Sequence, residues 1–167
     1  MRAVGLLLLI GVTHLQFACA PTVPKGAFFT PLAPPDASDT LVYVYRQDSL
    51  RGVDGVQIEL DGEKLGRLLN GEYLAFLIDP GSHEIRARME WFQFIPRSWN
   101  ALGFTSRAGQ TLYIRVWAAY DSQPVRPTAM DTRGPSSDGG KVGIFLGIQK
   151  PELAEQELKS TRSNPGH

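Results

Sequence analysis

The chain lacks several features that many extracytoplasmic and metal-binding domains depend on. Its 167 residues contain one cysteine, Cys19, which excludes an internal disulfide and a zinc site built from several thiolates. The three histidines do not have the close spacing of a metal-binding pair. Basic residues are not in excess, because Lys plus Arg and Asp plus Glu both number 17. The sequence therefore predicts no metal, no cofactor and no nucleic-acid partner.

Long apolar runs are also missing. The run from Ala3 to Val12 has ten residues, whereas a membrane-spanning helix needs about 20. Arg2 precedes this run, and small residues follow near position 20, which is typical of a secretory signal. A buried N-terminal helix or strand is the alternative. Because the run is isolated before a proline-rich stretch, we interpret residues 1–18 as a signal peptide.

The lone cysteine allows two cleavage sites. Ala18-Cys19-Ala20 is a small-x-small site that would release a soluble protein after Ala20. Alternatively, "FAC" resembles the lipobox of bacterial lipoproteins, whose cysteine becomes the first mature residue and carries lipid, although Gln16 stands where those proteins prefer leucine. Several acyl chains anchor a protein stably where one does not. We therefore predict lipidation at Cys19. By resemblance to Gram-negative lipoprotein sorting, Ala20 implies an outer-membrane protein that faces the periplasm.

A proline-rich segment follows the cysteine. Residues 21–40 contain five prolines and have no periodic apolar pattern, so neither a helix nor a central strand is expected. We interpret residues 19–40 as a flexible tether with a reach of up to about 60 Å. The alternative for its "AFF" sequence, Ala27–Phe29, is that it docks on the folded domain.

From Leu41 to Lys150 the pattern has a period of two residues, as in β-strands. Asp61-Gly62 and Asn70-Gly71 predict hairpin turns. The segment Leu74–Ile78 is apolar on both faces, which indicates a strand covered on both sides. We predict an all-β fold, a single antiparallel β-sandwich of about 7–8 strands. Residues 151–167 are predicted to be a short helix, "PELAEQEL", with a disordered tail, "SNPGH".

A family resemblance rests on the run "LVYVYR … VQIELDGEKLGRLLNGEYLAFLIDPGSHEIRAR … GQTLYIRV". This run resembles the DUF2846 family of small bacterial proteins, many of them predicted lipoproteins. The central "V-x-L-D-G" followed by "P-G-x-H-x-I" is also similar to PEGA-type β modules. The resemblance implies a small extracytoplasmic β-sandwich without an established activity. It supplies no catalytic residue for this chain.

Candidate catalytic chemistry is limited to one histidine. His83 is the only histidine inside the predicted domain, and it shares the inward face of its strand with Ile85. We interpret it as a hydrogen-bonded structural residue, and no G-x-S-x-G nucleophile motif is present. The long Pro-, Gly- and Ser-rich stretch from Asp121 to Gly140 is expected to be either mobile or functional.

The aromatic segment "WFQFIPRSWNALGF" is a candidate partner surface, with Phe92, Phe94 and Trp99 as its main residues. Strand alternation places Phe92 and Phe94 on the face that carries Arg86 and Arg88. Apolar side chains on that face need a cover. The cover is either another part of the same chain or another molecule.

The predicted function is that of a non-enzymatic, lipid-anchored envelope lipoprotein that binds or scaffolds an envelope protein through a β module. The first alternative is a secreted or periplasmic ligand-binding domain, which follows if cleavage occurs after Ala20. The second is an envelope hydrolase with an unrecognised site that uses His83.

Overall fold

The structure is a computed structural model that describes residues 23–50, 53, 55–91, 95–96, 99–120, 129–133 and 142–165. The predicted signal peptide and Cys19 lie outside these ranges. Within them the strands and helix are β1 (Thr40–Arg46), β2 (Val56–Leu60), β3 (Glu63–Leu68), β4 (Glu72–Ile78), β5 (Gly81–Trp91), β6 (Ile95–Pro96), β7 (Asn100–Ser106), β8 (Thr111–Tyr120), β9 (Ala129–Arg133), β10 (Val142–Gln149), α1 (Pro151–Leu158) and β11 (Arg162–Ser163).

The strands form two sheets. The first has the order β11-β4-β1-β8-β10-β9. In this sheet β1 pairs antiparallel with β4 and parallel with β8, with Val44 opposite both Leu74 and Ile114. The second sheet has the order β3-β2-β5, and β7 and β6 pair with successive parts of β5. The parallel pairing of β1 and β8 is a detail that the strand alternation does not predict.

Of the two predicted hairpin turns, the one at Asp61-Gly62 is confirmed, and the one at Asn70-Gly71 is wrong because the strands it joins belong to different sheets. Asp61 and Gly62 join β2 to β3 with φ values of 50° and 88°. Gly71, with φ 83°, lies in a turn that carries the chain from β3 in the second sheet to β4 in the first. These left-handed backbone conformations are accessible to glycine and tolerated by Asp and Asn, which is why Asp-Gly and Asn-Gly are reliable turn signals.

The main core lies between the sheets and contains the inward residues of the alternating strands. It includes Val42, Val44, Val56, Ile58, Ile85, Ala87, Met89, Leu112, Ile114, Val116, Ile144 and Leu146. The all-β sandwich with a short C-terminal helix is therefore confirmed, and Pro151 begins that helix as predicted. A fully buried apolar side chain stabilises a fold by about 1.5–3 kcal/mol, so this core accounts for most of the stability.

A second apolar cluster covers the outer face of β1. Leu41, Tyr43 and Tyr45 point to this face and pack with Ala154 and Leu158 of α1. Every residue of β1 is consequently buried. The helix is thus part of the folded body and covers the outer face of the first sheet.

A buried ion pair closes the end of β1. Arg46 Nε and Asp48 Oδ2 are 2.8 Å apart, with side-chain exposures of 0% and 2%. Arg46 Nη2 also donates to the carbonyl of Val53, and the amide of Ala118 donates to Asp48 Oδ2. These hydrogen bonds offset the cost of removing both charges from water, and they connect β1, β8 and the segment before β2.

Two segments whose composition indicates irregular structure contain strand residues. The 121–140 stretch contains a strand, β9, which pairs with β10. In the predicted disordered tail, Ser163 belongs to β11, and Asn164 Nδ2 donates to Arg67 O at 2.7 Å and Glu72 Oε2 at 2.8 Å. Both segments supply hydrogen-bond partners to backbone or side-chain groups at the edges of the sheet. Their composition alone does not indicate this role.

Candidate binding surface

The N-terminal segment lies on the body along the C-terminal residues. The Phe29 amide donates to the Thr161 carbonyl at 3.1 Å, and the Ser163 amide donates to the Ala27 carbonyl at 2.8 Å. Arg162 Nη1 donates to the Gly26 carbonyl at 3.0 Å. These bonds fix residues 26–29 against β11, at the outer edge of the first sheet.

Gly26 is required for this close approach. A Cβ at this position would collide with the carbonyl group and the side-chain oxygen of Ser163. The obstacle includes backbone, which cannot rotate away as the end of a flexible side chain can. Any other residue at position 26 would therefore separate the segment from β11.

Phe29 anchors the segment. Its ring packs edge-on against Tyr43 and Tyr73, with centroid distances of 5.5 and 5.4 Å. The Leu32 amide donates to the Tyr43 hydroxyl at 2.8 Å. Phe28, the neighbouring residue, is 59% exposed because successive side chains of an extended chain point in opposite directions. Of the two alternatives for "AFF", docking is the one observed, and this part of the chain is not the free spacer that its proline content suggested.

The docked segment forms one wall of an apolar groove, which we call the N-terminal groove. The groove has a volume of about 400 Å³. Its lining residues are Leu32, Ala33, Pro34, Pro35, Asp36, Leu41, Ala75, Phe76 and Leu77. A smaller cavity of about 210 Å³ is lined by Leu32, Tyr73, Leu74, Ala75, Ser163 and Asn164. Since Leu32 and Ala75 line both spaces, the two adjoin each other.

Exposed apolar side chains concentrate around this segment. Among the described residues, four large hydrophobic side chains are more than half exposed: Val23 at 62%, Phe28 at 59%, Leu77 at 58% and Leu32 at 55%. Three of them belong to the N-terminal segment, and Leu77 lies on β4. Neighbouring exposed apolar side chains of this kind are typical of interaction surfaces.

A polar cluster fastens α1 to the sheet next to this surface. The Tyr45 hydroxyl donates to Glu157 Oε2 at 2.5 Å, and Arg115 Nη1 lies 2.8 Å from Glu157 Oε1. The Tyr113 hydroxyl donates to Glu155 Oε1 at 3.0 Å. Burial and the neighbouring carboxylates raise the pKa of Tyr45 and of Tyr113. Both phenols therefore remain protonated donors at neutral pH, which suits a structural role.

His83 is held by two acceptors, as a structural histidine would be. Its Nδ1 lies 2.7 Å from Asp61 Oδ2, and its Nε2 lies 2.9 Å from the Asp79 carbonyl. A carbonyl oxygen and a carboxylate only accept, so both ring nitrogens carry protons in this arrangement. The hydrogen bond that His83 donates to the Asp61 carboxylate raises the pKa of His83 above its ordinary value. Both ring nitrogens are thus engaged in hydrogen bonds, as the structural role predicted for His83 requires.

The protonated state of His83 has a defined effect on stability. Because the pKa is higher in the folded state, the stabilisation is fully present below the unfolded pKa of about 6.5. It is lost as the pH rises through the raised folded value. For Asp61, partial burial raises the pKa, but the hydrogen bonds from His83 and the Glu84 amide outweigh this and leave the pKa lowered.

The other predicted site residues are placed as follows. Cys19, Phe92 and Phe94 lie outside the described residues. Trp99 packs under two arginines of β5, with its ring centroid 4.2 Å from Arg88 Cζ and 5.4 Å from Arg86 Cζ. Trp99 thus lies over the outward face of β5 and makes cation–π contacts there.

Within residues 23–50, 53, 55–91, 95–96, 99–120, 129–133 and 142–165, no group of three or more His, Cys, Asp or Glu side chains is placed to hold a metal ion. No helix in the same ranges is long and apolar enough to cross a membrane.

Leu32, Leu41, Ala75 and Leu77 were not predicted as site residues. For Ala75 and Leu77 one signal was present in the sequence, namely the apolar character of Leu74–Ile78 on both faces. That pattern predicts a cover on the outer face of β4. The structure covers this face at Tyr73 with Phe29 but leaves Leu77 mostly exposed.

Comparisons with known proteins identify the family of this chain but do not supply an activity. No curated protein matches the chain. A family model described as "Protein of unknown function (DUF2846)" matches residues 36–128, from the turn before β1 to the segment before β9. The match does not include β9, β10, α1 or most of the N-terminal segment, and it does not confirm the PEGA-type resemblance. Because it covers more than half of the 167 residues, the chain belongs to the DUF2846 family.

Proposed function

We propose that this protein is a lipid-anchored envelope lipoprotein that binds a partner protein through the N-terminal groove and catalyses no reaction. The observation that carries the proposal is Leu77. It lies on a strand whose apolar residues are typical of a strand buried on both faces. Its side chain is nevertheless 58% exposed beside a groove of about 400 Å³. A bound partner would supply the missing cover.

The edge of β4 indicates what kind of partner fits. β11 pairs with β4 only at Glu72 and Tyr73, so among the described residues the outer edge of β4 has no strand partner beyond Tyr73. An extended peptide can add to such an edge through main-chain hydrogen bonds and place alternate side chains in an adjacent groove. The partner is thus an extended apolar segment of another envelope protein. The aromatic surface at Phe92 and Phe94 stays a separate prediction.

The anchor is the second part of the proposal. A signal-like segment ends in "FAC" at Cys19, and the β domain follows it. Lipid at Cys19 would hold the groove at the inner leaflet of the outer membrane, facing the periplasm. Ala20, at the position after the cysteine, supports this location through the resemblance to lipoprotein sorting.

The anchor is tested by the intact mass of the full chain expressed in a Gram-negative host and extracted from membranes. The expected mature chain begins at Cys19 and carries added acyl mass, whereas Cys19→Ala should prevent lipid addition. A soluble mature chain that begins at Pro21 would instead support cleavage after Ala20 and a periplasmic binding domain.

The groove is tested by photo-crosslinking in cells from position 77, with Thr105 as the matched control. Thr105 is exposed on β7 in the opposite sheet. A photoreactive residue at 77 should give a discrete adduct with one envelope protein, and Leu32→Asp should remove this adduct. Equal adducts from positions 77 and 105, or an adduct that persists in Leu32→Asp, would exclude the groove as the binding site.

A further inference from the structure

The docked N-terminal segment also sets how the body is oriented at the membrane. We infer that the exposed side chains of Val23, Lys25 and Phe28 form a face that lies against the phospholipid surface. This inference rests on the proposed lipid anchor at Cys19. The partner that this face fits is therefore the membrane itself, and the protein is not suspended in the periplasm on a long spacer.

The first argument is the length of chain between the anchor and the body. The Gly26 carbonyl accepts a hydrogen bond from Arg162 Nη1, and Pro24 lies beside Gly71. An extended chain spans at most about 3.6 Å per residue, so the path from Cys19 to Pro24 covers at most about 18 Å. A tether that was free as far as residue 40 would reach about 60 Å. Docking thus removes most of the expected freedom and keeps this edge of the sandwich beside the lipid.

The second argument is the chemistry of the face. Val23 and Phe28 are 62% and 59% exposed. The Arg162 guanidinium lies over the Phe28 ring, with 3.7 Å between Cζ and the ring centroid, and Lys25 is exposed in the same segment. Aromatic and apolar side chains next to basic ones are the combination found at membrane interfaces, where rings enter the headgroup region and cations contact lipid phosphates.

The third argument is the effective concentration that the anchor creates. Two exposed apolar side chains and two cations bind a bilayer weakly when they are free in solution. A short link to an anchored lipid makes their contact intramolecular, with an effective concentration in the millimolar range. Such a face binds only when it is delivered by the anchor. The Cys19→Ala protein should consequently show no stable contact with vesicles.

Because Cys19 is the only cysteine and its thiol is consumed by lipid, single introduced cysteines can be labelled selectively. Phe28→Cys and Thr105→Cys are made in the full lipoprotein, labelled with a fluorophore and reconstituted in phosphatidylethanolamine–phosphatidylglycerol vesicles that contain a lipid-attached quencher. We expect quenching at position 28 to exceed that at position 105 at least threefold. Lys25→Cys is a second reporter on the same face and does not remove the Phe28 ring.

The outcomes separate the two proposals. If the lipoprotein carries lipid and binds vesicles but positions 25, 28 and 105 are quenched equally, the membrane-facing orientation is overturned while the anchor stands. If the chain carries no lipid, the anchor and the orientation fall together. Equal unfolding midpoints of the labelled proteins exclude misfolding as the cause of a difference.

Discussion

Replacing Phe29 with alanine should measure how strongly the N-terminal segment is docked. The ring is partly buried, so its transfer contributes about 1 kcal/mol, roughly half of the value for full burial. The edge-on contacts with Tyr43 and Tyr73 add about 0.5–1 kcal/mol each. The expected loss in the free energy of unfolding is therefore about 2–3 kcal/mol.

The assay is urea denaturation of a soluble form that begins at Ala20, with Phe28→Ala as the matched control. With a slope of about 2 kcal/mol per molar urea, Phe29→Ala should lower the midpoint by about 1 M. Phe28 is mostly exposed, and its contact with Arg162 is worth about 0.5–1 kcal/mol. Its variant should therefore shift the midpoint by less than half as much. Equal midpoints for the two variants would show that the segment does not dock through Phe29.

Three further substitutions test other parts of the structure. Gly26→Ala should destabilise the protein by about 1–3 kcal/mol in a thermal unfolding assay because the added Cβ meets backbone. Gly103→Ala is the control, and it should be neutral because the space around Gly103 is open. Arg46→Ala should cost about 3–5 kcal/mol because it leaves Asp48 buried without its cation; a loss below about 1 kcal/mol in chemical denaturation would contradict that view. The raised pKa of His83 predicts that the wild-type protein loses stability as the pH rises from the unfolded histidine pKa of about 6.5 through the higher folded value. His83→Gln should lack this loss, and an unchanged pH profile would refute the role assigned to the imidazolium.

The strands were predictable because period-two alternation and turn chemistry are local properties of the sequence. Val56 and Ile58, for example, face the core as their spacing requires, and Asp61-Gly62 forms the expected turn. Strand partners are not local properties. Nothing in the alternation of Leu41–Arg46 distinguishes an antiparallel neighbour such as β4 from a parallel one such as β8.

The candidate site was predictable only in part because the contacts that form it join residues distant in sequence. The apolar pattern of Leu74–Ile78 correctly indicated an outer face that needs a cover, but it could not show that Phe29 covers one end and leaves Leu77 exposed. Five prolines within 21–40 indicate a spacer by composition. Whether such a segment docks depends on Tyr43, Tyr73 and the β11 backbone, which are distant in sequence.

The central position of β1 has a consequence for folding kinetics. β1 is the first strand of the described residues, yet one side of its backbone hydrogen bonds with residues 111–116 of β8. Closing a loop of this length costs entropy before the contacts can compensate, and folds dominated by such distant pairings fold slowly. Until β8 arrives, β1 presents "LVYVYR" as an open, unprotected edge that can pair with another chain. Pairing with β8 therefore protects this edge of β1 from association with other chains.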